Sequence, residues 1–496
     1  MSTSARCIVL FLLMGLSLLC AGALATSSDP LDLWASTLLG GSGIDGGWPR
    51  TPIAVTPDGH VIVAGKTASE DFPGVDVIGD GGASDAFIAV FDARLRVLKS
   101  AWRLGGEGDE TCTSIAIAAD GAVYVTGTTL SASFPTTPDA HHVHGAGAGD
   151  IFIVRLAPGL DGMEAIVSLG GSSSENAPAV AVDATGAVLV AGRTQSADFP
   201  VSATAYDTTY DPARSSMAAG NVFVARLTAD LSTVEAATFL GGTMADDHPS
   251  LAVADDGSVY VSGTTCDARF PVTPGAWETQ PADDFSIYVC RLDGDLTRLL
   301  ASTFVGGNLS FGYGLDVDAD GSLWIAAHAG PSFPATGRDP FSGGIADAGI
   351  AHLTPDLSTL IAATVFGGSG NDCAMQIVAM EDVVVVSGFT DSADFPTSSP
   401  REGTTSPHST DGFVVTLRAV DGGVVDVWLL DGQGEDELNA LAVSSFGGIY
   451  VAGSTNSRDV AVLEDAAFPA YVGGATSGWG GDVYIACLAQ RASDLP

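Results

Sequence analysis

Six carboxylic acids recur at one fixed position along the chain of 496 residues. Each stands five residues beyond the first member of a recurring glycine pair, as in LGGSGID, LGGEGDE and FGGSGND. The six acids are Asp45, Glu110, Glu175, Asp246, Asp372 and Asp436, and Phe311 takes the position in the remaining copy. Carboxylates held close together repel one another, and a bound Ca²⁺ ion relieves that repulsion. The spacing therefore predicts an acidic ring that binds calcium, with the alternative that each acid only serves its own turn.

Two further segments contain residue types that bind metals. Asp316, Asp318 and Asp320 with Gly321 spell D-x-D-x-D-G, which is the first part of a calcium loop without its later acidic ligand. His141, His142 and His144 place three imidazoles in one segment, and these could bind Zn²⁺. The alternatives are an ordinary acidic turn and an exposed loop that happens to be rich in histidine.

Aromatic residues mark a second kind of candidate site. Tyr206, Tyr210 and Arg214 lie in the longest loop, while Trp277 and Trp479 lie in two others. Aromatic faces stack on sugars and peptides and often anchor interfaces, so together these residues could form a binding platform. The alternative is that each ring anchors its own loop.

Linear motifs of catalysis are missing. The chain has no G-x-S-x-G, no H-E-x-x-H and no phosphate-binding glycine loop. No catalytic residue is therefore assigned. A carbohydrate-active hydrolase or lyase stays an alternative, because acids supplied by separate repeats would escape such motifs.

The elements that must position these residues are repeated units. The first residues of the recurring pair are Gly40, Gly105, Gly170, Gly241, Gly306, Gly367 and Asp431, at intervals of 65, 65, 71, 65, 61 and 64 residues. Seven copies of one unit fill residues 34–491, with starts near 34, 99, 164, 235, 300, 361 and 425. Regular recurrence of this kind is typical of repeat architectures.

Each unit contains four short apolar segments, here named strands A to D. In the first unit they are Ile53–Val55, VIVAG from Val61, AFIAVF from Ala86, and Ala101–Leu104. Four antiparallel strands per unit, repeated seven times without a helical period, predict an all-β fold, the seven-bladed β-propeller. The strand-D segment at 34–39 has no strand C before it, and the last strand C ends at Leu488 with no strand D after it. We expect these two strands to pair, so that the N-terminal strand becomes the outer strand of the last blade.

The connections divide between the two faces of such a disc. The D–A turns and the long B–C loops begin on one face, here named the loop face, and we expect the long loops to make it the binding surface. Every B–C loop contains Phe-Pro. We interpret the phenylalanine as an apolar plug that packs the loop onto its blade.

The combination of motifs resembles the SBBP bacterial β-propeller repeat family. The resemblance rests on LGGSG-D, IAV-PDG, VYVTG-T, DFP and DIFIVRL and extends over nearly the whole chain after residue 33. It implies an exported propeller, often found in large surface or secreted proteins, and it implies no catalytic residues.

The N-terminus and the charge limit location and partners. Residues 1–25 have the pattern of a signal peptide, with Arg6, an apolar run and Ala-Leu-Ala, and 26–33 form a short N-terminal segment. Without residues 1–25 the chain has 18 Lys+Arg against 59 Asp+Glu, a net charge of −41. Such a charge excludes nucleic acid and disfavours an anionic membrane surface. Five cysteines follow residue 25, so at least one thiol is free, and a Cys266–Cys290 disulfide is one open pairing.

These patterns predict a secreted or cell-envelope protein, a monomer, that acts as a binding or scaffold module. The expected partner is an unknown protein or glycan, and the only cofactor suggested is calcium. A glycan-active enzyme and a purely structural envelope protein are the alternatives.

Overall fold

The computed structural model describes residues 31–46, 50–79, 81–137, 142–143 (backbone only), 149–210, 220–242, 249–281, 285–335, 344–397, 410–420, 422–473 and 480–489. These residues form strands and turns and no α-helix. Accordingly, no helix among them has the length and apolar character needed to span a bilayer.

The described residues form thirty strands. They are β1 Asp32–Leu39, β2 Ile53–Val55, β3 Val61–Thr67, β4 Val75–Ile78, β5 Asp85–Phe91, β6 Leu98–Leu104, β7 Glu110–Ile117, β8 Val123–Thr129, β9 His142–Val143, β10 Asp150–Leu156, β11 Met163–Leu169, β12 Glu175–Val182, β13 Val188–Thr194, β14 Asn221–Leu227, β15 Val234–Gly242, β16 Ser250–Val253, β17 Val259–Thr265, β18 Ser286–Leu292, β19 Leu299–Val305, β20 Phe311–Val317, β21 Leu323–Ala329, β22 Asp347–Leu353, β23 Leu360–Phe366, β24 Asp372–Ala379, β25 Val383–Thr390, β26 Asp411–Arg418, β27 Val424–Leu430, β28 Ala440–Val443, β29 Ile449–Thr455 and β30 Asp482–Ala489.

The strands make seven sheets, each of which is one blade. Blade three has the order β12-β13-β14-β15 from the central channel outward, and each of the other blades has the same antiparallel A-B-C-D order. The innermost strands β2, β7, β12, β16, β20, β24 and β28 contact one another in turn, and β28 contacts β2. The seven-bladed all-β propeller predicted from the sequence is thus confirmed.

Blade seven contains strands from both ends of the described chain. Its order is β1-β30-β29-β28, so β1 is its outermost strand. β1 pairs antiparallel with β30 from Asp32 opposite Ala489 to Leu39 opposite Val483.

The hydrophobic core lies between the blades rather than within any one of them. The described residues form seven clusters of buried side chains, and each cluster joins two neighbouring blades. Between blades one and two, for example, Ile62 and Ile88 meet Val125 and Phe152. Strands B and C are covered on both sides, which explains why their sequences are continuously apolar.

The glycine of strand B and the phenylalanine of Phe-Pro are parts of one packing unit. Gly127 is paired with Phe152 on strand C, and a Cβ at Gly127 would lie 2.5 Å from that ring. Phe134 of the loop, which is buried, stacks on the same ring with centroids 4.8 Å apart. Equivalent ring pairs occur in blades one, three, four and six. The interpretation of the phenylalanine as a plug is confirmed in these blades.

The B–C loops do not stay on the loop face, contrary to the expectation from the sequence. In blade four, the loop runs along strand D, where the Glu278 amide donates to Thr303 Oγ1 at 2.9 Å. The Trp277 amide then reaches the Leu357 carbonyl, 2.9 Å away, in the C–D turn of blade five on the opposite face. We name such a segment a strap. The straps of blades three and seven make the same two contacts through Tyr206–Asp207 and Ala467–Phe468.

In blades one and two, the strap forms a short extra strand. β4 pairs parallel with β6, and β9 pairs parallel with β11. Each of these two sheets therefore adds one parallel strand to the four antiparallel strands that the sequence predicted. An exposed outer strand D would present unpaired backbone groups that invite association, and the strap covers that edge.

Candidate functional site

The recurring acids of the D–A turns are buried in the structure. Their relative exposures are between 0 and 1% for Asp45, Glu110, Glu175, Asp372 and Asp436, while Asp246 lies outside the described residues. A buried carboxylate requires hydrogen-bond partners. The structure supplies these partners from the end of strand B.

Blade two shows the arrangement. Glu110 Oε2 accepts a hydrogen bond from the Gly106 amide at 3.0 Å. Glu110 Oε1 accepts hydrogen bonds from Thr129 Oγ1 at 2.7 Å and Ser131 Oγ at 2.6 Å. The acid therefore joins the turn that enters strand A to the end of strand B. Asp45 makes the same three contacts with Gly41, Thr67 and Ser69.

Burial raises the pKa of several of these acids, because a desolvated carboxyl group loses more when it is ionised. The pKa of Asp45 is raised, that of Asp372 to about 6 and that of Asp436 to about 7, in each case chiefly by desolvation and against the effect of hydrogen bonds. Carboxylates at the start of strand C add to the effect: Asp347 acts on Asp372, and Asp411 on Asp436.

Blade five departs from this pattern at all three positions together. Phe311 replaces the acid, and Ala329 and Pro331 replace the threonine and serine. Phe311 instead packs on His328 and on Phe285 of blade four, with ring centroids 5.8 and 5.5 Å apart. Burial lowers the pKa of His328 to about 4. The joint replacement indicates that acid and hydroxyls work as one unit.

In the structure, the recurring acids form hydrogen bonds that stabilise the D–A turns in which they lie. Each of the described acids accepts hydrogen bonds from its own blade, although Asp372 Oδ1 and Asp436 Oδ1 have no partner among the described residues. The described residues contain no group of three or more His, Cys, Asp or Glu that could hold a metal ion. The D-x-D-x-D-G segment does not converge either. Asp316 Oδ2 accepts from the Ala379 amide of blade six at 2.7 Å, whereas Asp320 Oδ1 accepts from the Ser322 amide at 2.8 Å. His141 and His144 lie outside the described residues, and of His142 only the backbone is described.

The aromatic candidates contact different parts of the propeller. Tyr206 and Trp277 occupy equivalent positions in the straps of blades three and four, beside the C–D turns of blades four and five. Tyr210 packs against Phe239, with centroids 5.9 Å apart. Trp277 is 44% exposed. Arg214 and Trp479 lie outside the described residues. The described members thus contact different blades, and a joint platform stays a prediction.

One feature of the channel occurs once among the residues that the structure describes. The D–A connection of blade one is longer than the others: Ile53 stands 13 positions after Gly40, against 9 or 10 positions at the equivalent places. Arg50, near the end of this insertion, crosses the channel. Its Nη2 donates to the Tyr313 carbonyl of blade five and lies 3.4 Å from Ser250 Oγ of blade four. A cation therefore spans the loop-face end of the channel.

A polar cluster lies next to Arg50, at the junction of blades seven and one. Asn439 connects its two sides: its Oδ1 accepts from the Thr51 amide at 2.9 Å and its Nδ2 donates to Glu437 Oε1 at 3.0 Å. Ser454 Oγ donates to the same Glu437 oxygen at 2.9 Å. Burial raises the pKa of Glu437 to about 7, with a further increase from Glu435 and a decrease from Lys66.

Arg50 and this cluster were not found from the sequence. The length of the first D–A connection was the available signal, because an insertion in one of seven equivalent turns breaks the repeat. Glu437 gave no such signal, since it stands among the acids of GEDE.

None of the five cysteines after residue 25 is part of a disulfide in the structure. Cys112, Cys290, Cys373 and Cys487 are buried and Cys266 is exposed. The pairing of Cys266 with Cys290, left open by the sequence, is not formed. Burial raises the pKa of the Cys290 thiol to about 12 and makes it unreactive.

Comparison with known proteins gives only distant structural similarities. No family model and no curated protein matches the chain. Among solved structures, it resembles the hydrazine synthase of Kuenenia stuttgartiensis, with 9% identity, a TM-score of 0.42, and coverage of 83% of this chain and 94% of that one. It also resembles an ulvan lyase from a polysaccharide lyase family, with 11% identity, a TM-score of 0.43, and coverage of 84% and 93%. A third similar structure is the α-L-arabinanase of Penicillium chrysogenum, with 10% identity, a TM-score of 0.39, and coverage of 76% and 92%. Likenesses of this degree carry no argument about what the chain binds or does.

Proposed function

We propose that the protein is an exported binding module that takes its ligand at the loop-face end of the central channel. The supporting observation is Arg50, which the insertion in blade one carries across the channel to Tyr313 and Ser250. Features that occur in every blade serve the fold. A feature that occurs once gives the ring a single distinct position, as a specific ligand requires.

The chemistry of Arg50 favours an anionic ligand group. A guanidinium group presents five N–H donors in a plane and binds carboxylates and sulfates in bidentate geometry. The net charge of the chain is −40, so a cation inside the channel is a local reversal of sign. The ligand is then a glycan or protein segment that carries an acidic group. Export rests on the signal-peptide pattern of residues 1–25, and we expect a monomer.

The test is a binding screen with uronic acid oligosaccharides, sulfated oligosaccharides and acidic peptides. Arg50→Ala should abolish binding. Arg298→Ala is the matched control, because Arg298 is 73% exposed in the C–D turn of blade four, on the opposite face, where it pairs with Asp293 at 3.0 Å. Its loss should leave binding unchanged.

Other outcomes contradict the proposal. Cleavage of a polysaccharide by the wild-type protein would replace it with the hydrolase or lyase alternative. Absence of binding, together with a lower melting temperature for Arg50→Ala, would make Arg50 a brace across the ring and favour the structural alternative.

A further inference from the structure

The carboxylate of Glu437 is enclosed and only half satisfied. Its side chain is 1% exposed. Oε1 accepts two hydrogen bonds, from Ser454 Oγ at 2.9 Å and Asn439 Nδ2 at 3.0 Å. Oε2 is buried and has no hydrogen-bond partner among the described residues. An unpaired carboxylate oxygen in such a place is costly, so a group beyond the described residues is expected to contact it.

Thr51, on the blade-one side of the cluster, also has a buried oxygen without a partner, in this case that of a neutral hydroxyl group. It is fully buried, its amide donates to Asn439 Oδ1, and its Oγ1 has no partner among the described residues. Space near this hydroxyl is left by Gly46, where a Cβ would lie 3.3 Å from Thr51 Oγ1. With its φ of +71°, Gly46 also holds a backbone conformation that other residues rarely adopt.

Glu435 adds a third buried oxygen of this kind. Its Oε2 has no partner in the described part of the chain, and its charge acts on Glu437. Lys66 provides one positive charge near two carboxylates. The three atoms without partners are thus all oxygens, and two of them belong to carboxyl groups, which favour a positively charged partner.

A metal cation meets both needs. A buried water would donate hydrogen bonds to the oxygens but would leave the charge in place. Hard cations prefer carboxylate, hydroxyl and carbonyl oxygens, and the strongly negative chain concentrates cations around it.

We propose that a hard metal cation binds at the junction of blades seven and one, with Glu437, Thr51 and Glu435 as its ligands. The ion connects residue 51 to residue 437, which lie near opposite ends of the propeller sequence. It therefore holds the ring closed where the first and last blades meet. The site differs from the acidic ring expected from the sequence, because it takes one ion per chain and uses none of the six turn acids.

The experiment titrates the chelator-stripped chain, after signal removal, with Ca²⁺, and in separate arms with Mg²⁺ and Na⁺. Calorimetry should show one ion per chain in at least one arm, with a higher melting temperature. Glu437→Gln should abolish binding. Thr51→Val preserves the side-chain shape and should weaken binding by at least about tenfold, since even outer partners of metal sites contribute that much.

Glu110→Gln is the matched control, because Glu110 is equally buried but receives three hydrogen bonds from its own blade. It should bind the ion like the wild type. Absence of binding in every arm would overturn the proposal, as would unchanged affinity in Thr51→Val. Uptake of about six ions, lowered in Glu110→Gln, would overturn it in favour of the acidic ring. If Glu437→Gln does not fold, Thr51→Val decides the question.

Discussion

Removing the hydroxyl of Thr129 should destabilise the propeller far more than the same threonine-to-valine exchange at a less buried position. Thr129 Oγ1 donates to Glu110 Oε1 at 2.7 Å and accepts from the Ser131 amide at 3.0 Å. Thr129→Val keeps the shape of the side chain but takes one donor from a buried carboxylate and the acceptor from an amide. Each loss costs about 1–3 kcal/mol, so the free energy of unfolding should fall by about 2–6 kcal/mol.

The assay is equilibrium unfolding in guanidinium chloride, with equal m values as the condition for comparing variants. Thr128→Val is the control, because the neighbouring Thr128 is half-buried and is not among the hydrogen-bond donors to Glu110. Its effect should stay within about 0.5 kcal/mol. If Thr129→Val stayed equally close to the wild type, the buried acid would not depend on its hydroxyl partners, and our account of the D–A turn would be refuted.

Four further outcomes are expected. The pKa of Asp372 is about 6 in the folded chain, against about 3.9 when unfolded. Its ionisation therefore lowers the free energy of unfolding by roughly 3 kcal/mol as the pH rises from 4 to above 6. Measured by urea unfolding at pH 4.5 and 7.5, this fall in the free energy of unfolding should be smaller for Asp372→Asn than for the wild type. Deletion of residues 34–39 removes most of the outermost strand of blade seven and should lower the melting temperature sharply; an unchanged melting temperature would contradict the role of β1. Leu296 is fully buried with φ of +57°, so Leu296→Gly should be no less stable than Leu296→Ala in thermal melts, reversing the usual order of these two residues. In the native protein a thiol reagent should modify Cys266 alone, and rapid reaction of a second cysteine would show that the blades open.

The fold was predictable because the same constraints act seven times. A segment such as VYVTG at Val123 reads as a strand on its own, but seven copies at near-equal intervals fix the architecture. The course of the straps was not predictable, because backbone amides make their contacts. The Tyr206 and Trp277 amides bind Leu carbonyls of the next blade, and no side-chain pattern announces such bonds.

The candidate site was harder to predict for a related reason. The acids of the D–A turns were visible because they repeat, and repetition is what turn chemistry produces. Arg50 and Glu437 are each unique, and a single residue in a linear sequence carries no information about which blades meet across a channel. The partnership of Glu110 with Thr129 was readable in principle, since Phe311 in blade five coincides with loss of the threonine and the serine.

The straps also bear on how such a ring could grow. Each described strap of blades three, four and seven binds the C–D turn of the following blade through the same pair of backbone groups. A duplicated unit would thus bring one strap for the blade after it and one turn for the blade before it. New blades could join without evolving a new interface, and blade number would be limited by the curvature at the channel rather than by recognition between neighbours.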